Sequence, residues 1–195
     1  MTRGTEKSRL TLVLLFAVFL APIVAAVVLH SRWIDWQAAP ARAHGELIEP
    51  VEPLGAFRAD DATGTARSLG DLTGRWQLVL VAGGPCDDAC RERLALMRRI
   101  RIAQDRHADE VGLVLIAGHE LPAPLVDELQ RLGPAWLAFD GAAGTRLRRR
   151  FPDAGTGAYY IVDPEGNIME RFDLEAKPTG IRKDLDRLLT WTVRE

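Results

Sequence analysis

Residues 76–90 read Trp76-Gln77-Leu78-Val79-Leu80-Val81-Ala82-Gly83-Gly84-Pro85-Cys86-Asp87-Asp88-Ala89-Cys90. The first seven form a short apolar run with little polar alternation, which predicts a strand buried on both faces. Gly83-Gly84-Pro85 breaks it, and a helix is predicted to begin near Cys86 and run to about His107. On the helical wheel Ala89, Cys90, Leu94, Met97, Ile100 and Ala103 share one broad side, and Cys86 falls within it. Arg91, Arg98, Arg99 and Arg106 lie mostly opposite. Arg93 is the exception among the arginines. Met97 reads as a core residue.

Outward from this stretch the pattern keeps alternating. Residues 111–117 (VGLVLIA) repeat the buried-strand signal. A short helix is predicted over 125–132, a short strand over 135–139 and a helix over 145–151. Residues 158–162 (AYYIV) read as a strand, and Asp163-Pro164-Glu165-Gly166 as a tight turn returning through a partner strand over 167–172. A closing amphipathic helix is expected over 179–191. Strands alternating with helices, then a hairpin and a last helix, predict an α/β fold of three layers around a mixed sheet, in the thioredoxin order. Bulk properties agree. The chain has 195 residues, 47% hydrophobic and 27% charged, which suits one packed domain plus an appendage and excludes a disordered chain. A net charge of −2 gives no general pull toward nucleic acid.

The appendage is N-terminal. Residues 10–29 are apolar apart from Thr11 and Pro22 and carry no charge. A helix of that length rises about 30 Å, enough to cross a bilayer core. Arg3, Lys7 and Arg9 precede it, so the N-terminus is expected in the cytoplasm and the rest outside. Trp33 and Trp36 follow where an interfacial aromatic belt would sit. A cleaved signal peptide is the rival. However, the run is long for one, and the best small-residue site, Ala41-Arg42-Ala43, lies far beyond it. The expected organisation is therefore a cytoplasmic segment 1–9, a transmembrane anchor 10–29, a linker 30–53 and a globular domain 54–195.

The chain holds two cysteines, four positions apart. A domain of this size can bury its own core, so the pair calls for a chemical explanation. The spacing permits a disulfide, and an extracytoplasmic compartment would preserve it. A thiol at a helix N-terminus gains thiolate character, whereas Asp87 and Asp88 oppose that charge. Two thiolates together also form a soft donor pair suited to Cu(I). A static bridge pinning the first helical turn is the structural alternative.

Gly84-Pro85-Cys86-Asp87-Asp88-Ala89-Cys90 after a buried strand resembles the CxxxC site of the Sco/SenC proteins, membrane-anchored copper chaperones for cytochrome c oxidase assembly. The resemblance runs from about Leu54 to Trp191. It takes in 68–74, the CxxxC site and the hairpin over 159–166. It implies a thioredoxin-like domain in the periplasm, held to a bacterial inner membrane, with copper as the expected cofactor. It implies an oxidase subunit or another assembly factor as the partner. Cys86 and Cys90 would be the redox pair and the Cu(I) ligands. The family's copper-binding histidine has no counterpart here: aligning the DP-E-G segments puts that position near Gly155, with no histidine close in sequence. Gly157 stands about where thioredoxins carry their cis-proline.

Three functions follow from these readings: an oxidase-biogenesis accessory factor, a general thiol–disulfide oxidoreductase, or an interaction module with a static bridge. His119, just past the 111–117 strand, is a candidate substitute metal ligand, with a solvated loop histidine as the plain alternative. His107 lies about 25 Å along the predicted helix from Cys90 and is set aside. His44 falls in the expected linker. Arg146, Arg148, Arg149 and Arg150 form a dense basic cluster that reads as a solvated helix face. No phosphate-binding glycine loop, zinc-type ligand set or Ser-His-Asp signature is present.

Overall fold

The computed structural model describes residues 15–21 and 43–192, and it divides into two units, 1–42 and 43–195. In the first unit residues 15–21 are helical. The expected anchor over 10–29 falls mostly outside the described residues. Among the described residues no helix is long and apolar enough to cross a membrane.

The second unit is built on a six-stranded sheet. Its strands are β1 (Glu46–Pro53), β4 (Trp76–Ala82), β5 (Val111–Ile116), β6 (Trp136–Phe139), β7 (Gly157–Val162) and β8 (Asn167–Asp173). Their order is β1-β8-β7-β4-β5-β6. β4, β5 and β6 run parallel, while β7 lies antiparallel to β4 and to β8, so the sheet is mixed. A separate two-stranded ribbon joins β2 (Arg58–Asp60) and β3 (Ala66–Ser68). The helices are α1 (Asp88–Ile102), α2 (Ala123–Arg131), α3 (Gly141–Arg148) and α4 (Pro178–Thr192).

The two buried-strand signals are explained by what covers the sheet. Every residue of β4 and β5 is buried. Alternate side chains point to opposite faces of a strand. Leu78 and Leu80 enter one core with Leu94, Met97 and Ile100 of α1, Leu125 and Leu129 of α2, and Ile181 and Leu185 of α4. Val79 and Val81 enter the other core with Leu147 of α3, Phe151, Tyr160 and Ile168. The result is the expected three layers with a central mixed sheet.

Two boundaries differ from the sequence reading. The globular unit extends further toward the N-terminus, because Glu46–Pro53 is the edge strand β1, paired with β8, and not linker. Hydrogen bonds to the open edge of β8 hold it there. It carries no alternating apolar signal, since its residues are mostly exposed. Its prolines are tolerated because an edge strand need not donate on both sides. The helix expected to reach His107 instead stops at Ile102, and His107 lies in a 3₁₀ segment, Asp105–Glu110, opened by a positive φ of 51° at Asp105.

Candidate redox and metal site

The start of α1 is set by one side chain. Asp87 is extended, with φ −85° and ψ −168°, and its carboxylate accepts from the Cys90 amide at 3.0 Å. Asp87 is thus the N-cap, and α1 begins at Asp88. Cys86 therefore stands outside the helix, one residue before the cap, and does not share the helical face predicted for it. Cys86 and Cys90 are joined by a disulfide with their Cα atoms 5.0 Å apart. The bridge spans the helix entry, where apolar side chains in many proteins pack to fix the angle of the incoming chain. Cys86 is 8% exposed and Cys90 4%, so the bridge belongs to the core that α1 shares with the sheet. Ala89 and Ala103, predicted on the buried side, are exposed at the two ends of the helix.

The sheet register brings a second loop to the bridge. β7 is antiparallel to β4, and Gly157 lies opposite Ala82. The residue before β7, Thr156, thus meets the residue after β4, Gly83. The backbones are so close that a Cβ on Gly83 would sit 1.9 Å from the Thr156 carbonyl oxygen. Gly157 itself has φ +99°, a left-handed conformation that a side chain would strain. Arg148 holds this loop by donating to the carbonyls of Ala154 (3.0 Å) and Gly155. Arg150 likewise donates to the Leu54 carbonyl at 2.6 Å. Two of the four clustered arginines thus hold backbone carbonyls, which corrects the reading of all four as a solvated face.

A cavity of about 280 Å3 opens beside the bridge, lined by Gly83, Gly84, Cys90, Arg93, Thr156 and Leu174 among others. Arg93 is the arginine that does not fall with the others opposite the apolar side, and that exception is the sequence signal for it. Its guanidinium stands 4.0 Å from the carboxylate of Glu175. One strand over from Leu80, which also lines the cavity, Tyr159 is fully buried, and its hydroxyl has no hydrogen-bond partner. Burial pushes Tyr159 up to about 12, with Arg93 and Glu175 acting on it in opposite senses, so the phenol stays protonated.

His119 is exposed in the bend after β5 and is not among the residues lining this cavity. Among the described residues no group of three or more His, Cys, Asp or Glu is placed to hold a metal ion. The soft donors at the site are the two sulfurs. In the disulfide they are not thiolates; once reduced they fit a two-coordinate soft ion, Cu(I), and offer Cu(II) no nitrogen. Met97 is fully buried in the core, as expected. His44 is not in a linker: its amide and its Nδ1 (3.0 Å) both meet the carboxylate of Asp184 on α4.

A mixed sheet between helical layers, with a cysteine pair at the strand-to-helix junction facing an antiparallel loop, defines a thioredoxin-like protein. Comparison with known proteins agrees. Residues 76–192 match the model of the transmembrane-like, thioredoxin-like, C-terminal domain family, and the chain belongs to that family. No curated protein matches it in sequence. Among solved structures it resembles copper-bound ScoI of Bradyrhizobium japonicum, at 22% identity and TM-score 0.51, covering 68% of this chain and 97% of that one. It also resembles BsSco, a member of the Sco family of cytochrome c oxidase assembly proteins in which a disulfide switch was identified. There the identity is 15% and the TM-score 0.53, over 72% of this chain and 95% of that one. A putative thioredoxin from Neisseria meningitidis aligns at 15% identity and TM-score 0.55, over 74% and 93% of the two chains. At these identities the likeness is one of fold: the chain has a Sco-like thioredoxin fold.

Proposed function

We propose that this protein is a membrane-anchored, Sco-like accessory factor in cytochrome c oxidase biogenesis, and that Cys86 and Cys90 handle Cu(I) or the redox state of copper-ligand thiols. The observation that carries this reading is the Cys86–Cys90 bridge across the entry of α1, beside an open cavity. A merely structural staple needs no cavity next to it. In the reduced state one thiolate attacks a partner disulfide and forms a mixed disulfide. The other cysteine then displaces the partner, so the partner gains two electrons and Cys86–Cys90 closes again. A dithiol reductant of the same compartment resets the pair. With copper as cargo, the two thiolates are the ligands, and metal binding excludes the disulfide. The anchor over 10–29 and a periplasmic domain belong to this proposal.

Copper titration of the reduced full chain in detergent, against a Cu(I) chelator of known affinity, tests it. One Cu(I) per chain is expected, lost in Cys86→Ser or Cys90→Ser. His119→Ala should leave the affinity within about two-fold, because that histidine stands apart from the cavity; a ten-fold loss, about 1.4 kcal/mol, would make it a ligand after all. A second reading, a general thiol–disulfide oxidoreductase, is favoured by the lack of a third donor among the described residues. Disulfide exchange without any Cu(I) binding would establish it in place of the first.

A further inference from the structure

We propose that Arg93 selects the thiol partner, and that this partner carries a carboxylate beside its reactive cysteine. The inference rests on the disulfide-exchange reading above and adds the chemistry of what docks.

Among the described residues lining the cavity, Arg93 is the one cation, and it shares that wall with Cys90. It sits three residues after Cys90, just under one turn further along α1. Its side chain is 27% exposed, half-sunk on the side of α1 that otherwise carries core residues. Core packing alone would call for an apolar residue there. Its partner, Glu175, is 93% exposed and 4.0 Å away. Such surface pairs are weak, so a docking carboxylate can take the place of Glu175 at little cost. Arginine suits the task because its planar fork meets a carboxylate through two parallel hydrogen bonds. Asp87 also faces the cavity, but its carboxylate is tied to the Cys90 amide. The space beside Gly84 is open, since nothing lies within 4 Å of a Cβ built there. The hydroxyl of Tyr159, buried and unpartnered, lies within the field of Arg93.

Reduction of the bridge by the partner is an ordinary exchange. A partner thiolate attacks one sulfur, the Cys86–Cys90 bond breaks, and its electron pair leaves on the other sulfur as a thiolate. A second partner thiolate then attacks the partner's sulfur in the mixed disulfide, that bond breaks, and the protein sulfur leaves as a thiolate. The bridge has gained two electrons, and the two partner thiols have become a disulfide. Arg93 takes no part in these steps; it holds the partner so that they occur at high local concentration.

The test uses the oxidised full chain in detergent at low ionic strength. Three blocked peptides each carry one cysteine, flanked by two glutamates, two glutamines or two lysines. Reduction rates are normalised to each peptide's rate with a small neutral disulfide, which removes differences in thiol reactivity. The glutamate peptide should exceed the glutamine peptide by about five-fold or more, and the lysine peptide should be slowest. Added salt should erase the order. In Arg93→Gln the ratio should fall to within about two-fold, in Arg93→Lys part of it should return, and in Glu175→Gln it should rise. Dithiothreitol, which is neutral, should reduce wild type and Arg93→Gln at the same rate, showing that the variant is folded. Equal peptide rates in wild type, or a full ratio surviving in Arg93→Gln, would overturn the role of Arg93 while leaving exchange intact. Resistance of the wild-type bridge to every thiol would overturn exchange and this inference together.

Discussion

Asp87 serves two opposed purposes. Its carboxylate caps α1 by accepting from the Cys90 amide, yet its charge lies beside the sulfurs that must become thiolates on reduction. Asp87→Asn keeps a capping oxygen and removes the charge. The reduced state gains, so the reduction potential should rise by roughly 10–30 mV in a redox-buffer equilibrium. A fall in potential would show that capping, not charge, dominates. A second residue-scale effect lies far from the bridge, at Glu170 and Asp184. Burial, with the charge of Asp184 beside it, pushes Glu170 up to about 8. Burial also works to raise Asp184, but hydrogen bonds from the ring and amide of His44 and from Glu170 outweigh it and hold Asp184 below the usual carboxylate range. Glu170 thus keeps its proton at neutral pH and donates to Asp184. Between its ordinary value of 4.5 and about 8 the folded state holds a proton that the unfolded chain has lost. Stability from this group is therefore complete below that window and declines as pH rises through it, by at most about 1.4 kcal/mol per pH unit. Asp184 contributes in the opposite sense, and only at acid pH. In urea unfolding, Glu170→Gln should flatten the decline across the window; an unchanged slope would place the proton elsewhere.

At the scale of elements, the site depends on two backbones meeting. Gly83 after β4 and Thr156 before β7 approach so closely that Gly83→Ala must push them apart. Such overpacking typically costs ~1–3 kcal/mol, which a shift in the urea midpoint would register. The far side of the same loop is held by Arg148 on the carbonyls of Ala154 and Gly155. Arg148→Ala should speed amide exchange at Gly157, whose N–H bonds to the Ala154 carbonyl at 3.1 Å, while leaving β5 protected. Unchanged exchange at Gly157 in Arg148→Ala would mean the loop is held by β7 alone. Helix α1 shows how far sequence reading reaches at this scale. Its buried residues, Cys90, Leu94, Met97 and Ile100, were legible from their spacing. Its first residue was not, because a cap is a local hydrogen bond and an aspartate one residue after Cys86 does not announce which way its carboxylate turns.

For the whole molecule, the expected α/β sandwich is present, with β4 and β5 central and covered on both faces. The chain continues N-terminally into the apolar segment over 10–29, and its basic flank predicts the domain outside the cytoplasm. A reporter active only in the periplasm, fused after Glu195, should be active, and the protein should resist extraction from membranes by high salt. Activity of a cytoplasmic reporter at the same point would reverse the orientation and remove the oxidising compartment on which the disulfide argument draws.

What the amino-acid sequence determined by itself was whatever repeats with a short period or lies within a few residues. The buried runs of β4 and β5, the apolar stripe of α1, the Asp163–Gly166 turn and the pairing of Cys86 with Cys90 are all of this kind. Tertiary structure alone decided what depends on distant segments meeting. Thr156 reaches Gly83 through the register of β7 on β4. The segment read as linker became an edge strand because β8 offered it hydrogen bonds. His44 found Asp184, 140 residues away, and Arg93 found a cavity wall that only the packing of α1 against the sheet creates. Such contacts follow from strand register and layer packing, which no local pattern encodes.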